Sequence, residues 1–302
     1  MSSADIDAIV AAVLAALRED GRLPAEGGGA APAASPPAAA GGEVVIDLPD
    51  PADEALRRRI GVDDPVDAEG LANLCSTTTA RIGVGRAGPR PRTSALLLFQ
   101  GDHGVAQDAI YGLVDEEVKA QFDLFTVETQ TADQDEYLLR PDLGRRLTDE
   151  AKATIAERCT PNPEVQIVVG AGLSAAAVNH QLPDILPVIE QGLADAGVTV
   201  GTPFYIERAR VGVMNDVGEA TGAETVLLLI GERPGLGVAD ALSAYMGYQP
   251  RPGKTDADRD LICMITYAGG TNPLEAGAYV VEKLREMLRE KASGVALGRE
   301  DG

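Results

Sequence analysis

Apolar residues recur along this chain with two different periods, and the change between them divides it. In residues 5–21, Ile6, Ile9, Val10, Val13, Leu14 and Leu17 fall three, four and seven apart, which makes one stripe on a helix. Ser3 with Asp5 can cap its start and Gly21 can end it. Residues 22–43 have no period: they are Ala, Gly and Pro with almost no charge, a linker that cannot form a core. Helical spacing returns over residues 71–81, 93–100, 116–125 and 147–158, so 44–160 is predicted as a mainly helical domain. From about residue 164 the pattern alternates. Apolar strand-length runs at 165–169, 203–206, 226–230 and 261–266 are interleaved with helical stretches at 185–196 and 273–292, and Gly197 and Gly294 mark the helix stops. Residues 161–302 therefore read as an α/β, Rossmann-like domain with a parallel sheet.

The run Val-Leu-Leu-Leu-Ile at 226–230 has no polar residue, as expected of a strand covered on both faces. It stops at Gly231-Glu232-Arg233-Pro234-Gly235-Leu236-Gly237. In open α/β sheets ligands bind beyond the carboxyl ends of the strands, which puts Glu232 and Arg233 where a cofactor would sit. The competing reading is a tight loop in which the two pair with each other in solvent. The N-terminal helix also has two readings: a docking peptide for a groove on another protein, or a terminal helix folded back on the body.

Composition narrows the partners. With 47 acidic and 26 basic residues the net charge is −21, which disfavours nucleic acid and anionic membrane surfaces. No apolar run reaches membrane-spanning length, and the N-terminus lacks the basic region of a secretory signal. Three widely spaced cysteines, Cys75, Cys159 and Cys263, offer neither a disulfide framework nor a metal pair and suit the reducing cytoplasm. Aromatics at 4%, with no Trp, argue against base-stacking platforms.

Two arginine-rich segments stand out in so acidic a chain. Gly85–Thr93 places Arg86, Arg90 and Arg92 between prolines and glycines just ahead of a helix, suited either to an anion or partner or to structural ion pairs. Tyr137–Leu147 holds Arg140, Arg145 and Arg146, and reads as an ordered loop in which Asp142 caps the next helix and pairs with Arg140. Gly170-Ala171-Gly172 lacks the third glycine of a dinucleotide turn, and Gly253-Lys254-Thr255 lacks the upstream glycine of a P-loop. Ser174 has no evident His and Asp partners, and His103 beside Asp102 is either a base or a structural neighbour. No self-sufficient catalytic set or metal set is legible, as suits a cofactor-binding or accessory subunit.

The motifs GRAGPRPRT (85–93), YLLRPDLGRRL (137–147), GLS (172–174), GTPF (201–204), Arg210-Val211, GERPGLG (231–237), Ala257-Asp258-Arg259 and KASG (291–294) occur in order. Together they make the chain resemble the small subunits of ethanolamine ammonia-lyase. The resemblance implies a helical N-terminal part and a Rossmann-like part. It also implies a large TIM-barrel subunit as partner, adenosylcobalamin as cofactor, and conversion of ethanolamine to acetaldehyde and ammonia. It places substrate and radical chemistry in the large subunit and assigns this chain cofactor contacts at Val211, Glu232 and Cys263. Because the run around 260–265 is displaced by two residues from the family pattern, Leu261 is the alternative third contact. Ala171, where the family has Asp, and the altered segment 101–108 are further departures. The N-terminal helix and linker resemble a targeting signal for a bacterial microcompartment shell. The alternative to this reading is a diverged, stand-alone nucleotide-binding or regulatory α/β protein.

Overall fold

Local signals start most of the elements. The computed structural model describes Ala55 and residues 58–298, within the second of the chain's two units, Pro49–Gly302. The helix and linker expected over 1–21 and 22–43 lie outside the described residues. Helix α1 (Ala68–Ser76) begins where Asp67 accepts the Gly70 N–H at 2.8 Å. A short antiparallel ribbon pairs Arg86–Ala87 with Arg90–Pro91 and leads into α2 (Thr93–Tyr111), which continues past the expected end at 100 through Gly101 and Gly104. Helix α3 (Glu116–Gln121) stops before 125. Asp123 takes φ 51°, the chain reverses, and Phe125–Glu128 is strand β1, with Phe125 and Val127 inward. A four-residue alternation is too short to separate from a helix end by pattern. Helices α4 (Gln134–Leu139) and α5 (Asp149–Arg158) follow, capped by Asp133 and Thr148. Asp142 pairs with Arg140 as expected but caps nothing; Thr148 does that work.

The alternating half comprises β2 (Val165–Gly170), α6 (Ala175–Asp195), β3 (Phe204–Glu207), α7 (Met214–Thr221), β4 (Thr225–Gly231), β5 (Leu242–Tyr248), β6 (Arg259–Ile265) and α8 (Pro273–Glu290). Helix α6 opens directly after the turn at 170–174 and runs unbroken through Pro183 and Pro187 into the helical stretch at 185–196. Proline removes a helical N–H and normally breaks a helix interior. Here Val178, Leu182, Ile185, Leu186, Ile189 and Leu193 are all fully buried, and tertiary packing overrides the local penalty.

The six-stranded sheet has the order β1-β3-β2-β4-β5-β6. β1, β3, β2 and β4 are parallel, whereas β5 and β6 add antiparallel, so the sheet is mixed rather than wholly parallel. β5 went unread because Ser243, Tyr245 and Gly247 break its apolar run. Both faces are covered. Val165, Ile167, Val169, Leu227 and Leu229 pack with α6 and α8; Val168, Val226, Leu228 and Ile230 pack with α5 and α7. The chain leaves β2 for one face and β3 for the other. Their diverging loops open a crevice at the carboxyl edge of the sheet.

Candidate cofactor-binding cleft

Two glycines bring the loops after β2 and β4 into backbone contact. Gly172 holds φ +58°, and a Cβ there would strike the Gly231 carbonyl oxygen; a Cβ on Gly231 would strike the carbonyl oxygens of Ala171 and Ser174. The Leu173 N–H donates to Gly231 O at 3.1 Å across this junction. Glu232 follows at once. It does not pair with Arg233. Its Oε1 accepts the Ser243 hydroxyl and the Met264 N–H, the latter at 2.8 Å. Among the described residues Oε2 has no hydrogen-bond partner, so the carboxylate is anchored by one oxygen and offers the other.

The Met264 N–H is available because β6 bulges. Leu242 pairs with Ile265 and Ala244 with Ile262, so Cys263 and Met264 together oppose Ser243. Met264 takes φ 55° there. The bulge leaves Cys263 exposed rather than buried in the core. Leu261 and Cys263 both line the cleft, so the two-residue displacement does not force a choice between them.

Val211 comes from the loop after β3, where it opens a short turn, Val211–Val213, leading into α7. Before it, Arg210 lies over the Tyr137 ring with its guanidinium 4.2 Å from the centroid and donates to Tyr137 O at 3.0 Å. Tyr137 is fully buried and donates to Ala209 O at 2.9 Å. Burial pushes its phenol up to about 12, with the Arg210 charge opposing, so it remains a donor at neutral pH. Tyr245 is raised too, first by burial and then by the Glu232 carboxylate. Val211, Glu232 and Cys263 thus line one cleft of about 360 Å³, together with Tyr137, Leu173 and Leu261. Beyond Arg210 and Val211 a second hollow of about 820 Å³ opens, also bordered by Tyr245 and Leu261.

The profile of the ethanolamine ammonia-lyase light chain matches residues 68–298, the whole of this sheet, its helices and the cleft. The chain belongs to that family. Relatives named ethanolamine ammonia-lyase small subunit share 45% identity in Clostridium perfringens, over 83% of this chain and 84% of the relative. The Listeria monocytogenes protein of that name shares 43%, over 83% and 85%. The one from Clostridioides difficile shares 42%, over 84% and 88%.

Within this ethanolamine ammonia-lyase light-chain fold, the other candidate residues stand apart from the cleft or play structural parts. Ser174 caps α6, accepting the Ala177 N–H at 3.1 Å and donating to Ala239 O at 2.6 Å. Asp102 is buried on α2 in an ion pair with Arg81, and His103 is exposed beside Phe99 on the helix rather than in a loop. Thr255 and Asp258 form a capping box, so Gly253-Lys254-Thr255 is a turn between antiparallel strands and not a phosphate loop. In the first arginine segment Arg92 pairs bidentately with Asp63, at 2.8 and 2.5 Å, which favours the ion-pair reading there; Arg86 donates to the Pro89 carbonyl. Tyr137, Arg145, Arg146 and Arg210 were the residues that spacing missed. All four lie inside the quoted motifs, but nothing local says that residues 137–146 and 210 meet.

Near the amino end of α6, His180 Nδ1 lies 3.0 Å from Asp240 Oδ2, and Thr266 donates to Oδ1 at 3.2 Å. The hydrogen bond to Asp240 raises the imidazole and lowers the carboxyl. A raised histidine stabilises the fold below its unfolded value and loses that contribution as pH rises through the folded one. The lowered carboxyl acts above its unfolded value and loses its contribution as pH falls through the folded one. The His180 ring signals in NMR are expected to titrate above the ordinary histidine value and to fall back in Asp240→Asn. A midpoint that does not move in Asp240→Asn would remove the carboxylate as the cause.

Among the described residues no helix is long and apolar enough to cross a membrane.

Proposed function

We propose that this chain is the small subunit of an adenosylcobalamin-dependent ethanolamine ammonia-lyase. It would act with a large TIM-barrel subunit to convert ethanolamine to acetaldehyde and ammonia. The observation that carries the reading is the convergence of Val211, Glu232 and Cys263, from three separate segments, on one cleft at the carboxyl edge of the sheet. The cleft's chemistry fits a corrinoid rim of amide side chains. The free Glu232 Oε2 would accept amide N–H groups, and Val211 and Leu261 would give apolar contact. The Arg210 Nε, buried and without a hydrogen-bond partner, offers a donor. When bound, adenosylcobalamin would supply the weak cobalt–carbon bond as the source of the radical. This chain's residues would hold and orient it.

A partner subunit suits the exposed apolar surface. Leu97 and Phe99 on α2 are 61% and 44% exposed, and Leu139 is 81% exposed. The N-terminal segment 1–21 and linker 22–43 are read as an extension that targets a cytoplasmic protein to a bacterial microcompartment, and 44–160 and 161–302 as the helical and α/β parts of the body. The deciding experiment is co-expression with the large subunit, followed by pull-down and an acetaldehyde assay with ethanolamine. Turnover is expected only with both chains and adenosylcobalamin. It is expected to survive removal of residues 1–42, while association with shell protein is lost. Absence of any complex would favour the stand-alone regulatory reading.

A further inference from the structure

The loop 232–241, which joins β4 to β5, carries two carboxylates: Glu232 at its start and Asp240 near its finish. The loop is closed on itself. The Glu232 N–H donates to Ala241 O at 2.9 Å, and the Gly235 N–H donates to Val238 O at 2.8 Å. Its return limb is fastened to α6. Ser174 Oγ donates to Ala239 O at 2.6 Å, Gln181 Nε2 donates to Asp240 O at 3.2 Å, and His180 Nδ1 lies 3.0 Å from Asp240 Oδ2. The other oxygen of Asp240 faces a different element. Asp240 Oδ1 accepts the hydroxyl of Thr266, the residue that follows β6, at 3.2 Å. Thr266 is buried, and its Oγ1 already accepts the Ala268 N–H at 3.1 Å, so the hydroxyl proton is left for Asp240.

Both carboxylates therefore hold the end of β6. Glu232 takes the Met264 N–H, and Asp240 takes the Thr266 hydroxyl. The backbone between the two grips is tight. The Thr271 N–H donates to Met264 O at 2.8 Å, the Thr266 N–H donates to Thr271 O at 3.0 Å, and a Cβ on Gly270 would strike the Met264 carbonyl oxygen. Movement at Thr266 is thus passed on to Met264 rather than absorbed. Met264 itself takes φ 55°, a conformation that a residue with a side chain keeps only where its surroundings impose it. We infer that Asp240 is a positioning residue: by gripping Thr266 it sets the bulge so that the Met264 N–H meets Glu232 Oε1, which leaves Oε2 for the cleft. The consequence for cofactor retention rests on the cobalamin reading, whereas the coupling of Asp240 to Glu232 does not.

Amide hydrogen exchange, followed by NMR on the full chain, tests the coupling. In Asp240→Ala the Met264 amide is expected to exchange about tenfold faster, as for loss of one hydrogen bond to a charged group, while the amides of the central strand β4 keep their protection. Thr266→Val is expected to give the same result from the other side of the contact. Asp240→Asn, whose amide oxygen can still accept from Thr266, and Thr266→Ser are expected to restore most of the protection. An unchanged Met264 amide in either Asp240→Ala or Thr266→Val overturns the inference. Acceleration of Met264 and β4 by one common factor also overturns it, because that is general destabilisation. Equilibrium dialysis of adenosylcobalamin against the complex with the large subunit tests the consequence. Asp240→Ala is expected to weaken binding by about three- to tenfold, less than Glu232→Ala, because the Ser243 hydroxyl still holds Oε1. Binding weakened in Glu232→Ala but unchanged in Asp240→Ala overturns the positioning role. If Glu232→Ala binds as tightly as the wild type, or if the wild-type complex retains no cobalamin, the cobalamin reading fails instead, and exchange at Met264 alone decides whether Asp240 positions Glu232.

Discussion

Gly172→Ala is expected to destabilise the described unit by about 3 kcal/mol, from forcing a side chain into the left-handed region and overpacking the junction of two loops. For a domain of this size that is roughly a 10 °C fall in Tm. Gly172 has φ +58°, and its missing Cβ is occupied by the Gly231 carbonyl and the Ile230 side chain. Gly197 is the control, because it has φ +71° with nothing within 4 Å of a built Cβ. Gly197→Ala carries the backbone strain alone and is expected to cost about 1 kcal/mol. Calorimetry on the two variants therefore separates backbone strain from close approach. Equal losses at the two positions would show that contact between the β2 and β4 loops contributes nothing. The cleft is built on that contact, so Gly172→Ala is also expected to loosen the position of Glu232.

The second large effect concerns Glu232 directly. In the assembled complex, Glu232→Ala is expected to weaken cobalamin binding by about 10- to 100-fold, the range for losing a hydrogen bond to a charged group. It removes the free Oε2 and also releases the Met264 N–H and the Ser243 hydroxyl that pin the carboxylate. Glu232→Gln separates the two parts. Its amide oxygen can still accept from Ser243 and Met264, so the bulge persists while the charge toward the cleft is gone. A smaller loss in Gln than in Ala is expected, with subunit assembly unchanged in both. The readout is cofactor retained through gel filtration, measured by absorbance. Full retention in Glu232→Ala would remove this residue from the cofactor contacts.

The buried strand at 226–230 and its charged turn were legible, because a run without polar residues has few homes in a folded protein. Glu232 could be placed at the strand's end for the same reason. Its partner could not, since Ser243 and Met264 are brought there by two antiparallel strands whose pairing depends on register. The exposure of Cys263 follows from a β-bulge, and no composition signal marks one. That α6 runs unbroken through Pro183 and Pro187 follows from the apolar stripe that holds it against the sheet, of which local propensity carries no account. The loop 137–147 looked merely ordered, although it supplies Tyr137 beneath the cleft and Arg145 at the second hollow.

Sequence alone determined most of the helices, the two-sided burial of the central strands, the acidic character of the surface and the family, because periodicity, composition and ordered motifs are properties of neighbours along the chain. The tertiary structure decided the mixed sheet, the contact between Gly172 and Gly231, the anchoring of Glu232 by the bulge, and the grip of Asp240 on Thr266. Each of these joins residues far apart in sequence. Their positions follow from how the strands pair and which face each crossover takes, and close packing settles those choices only once the whole sheet is assembled.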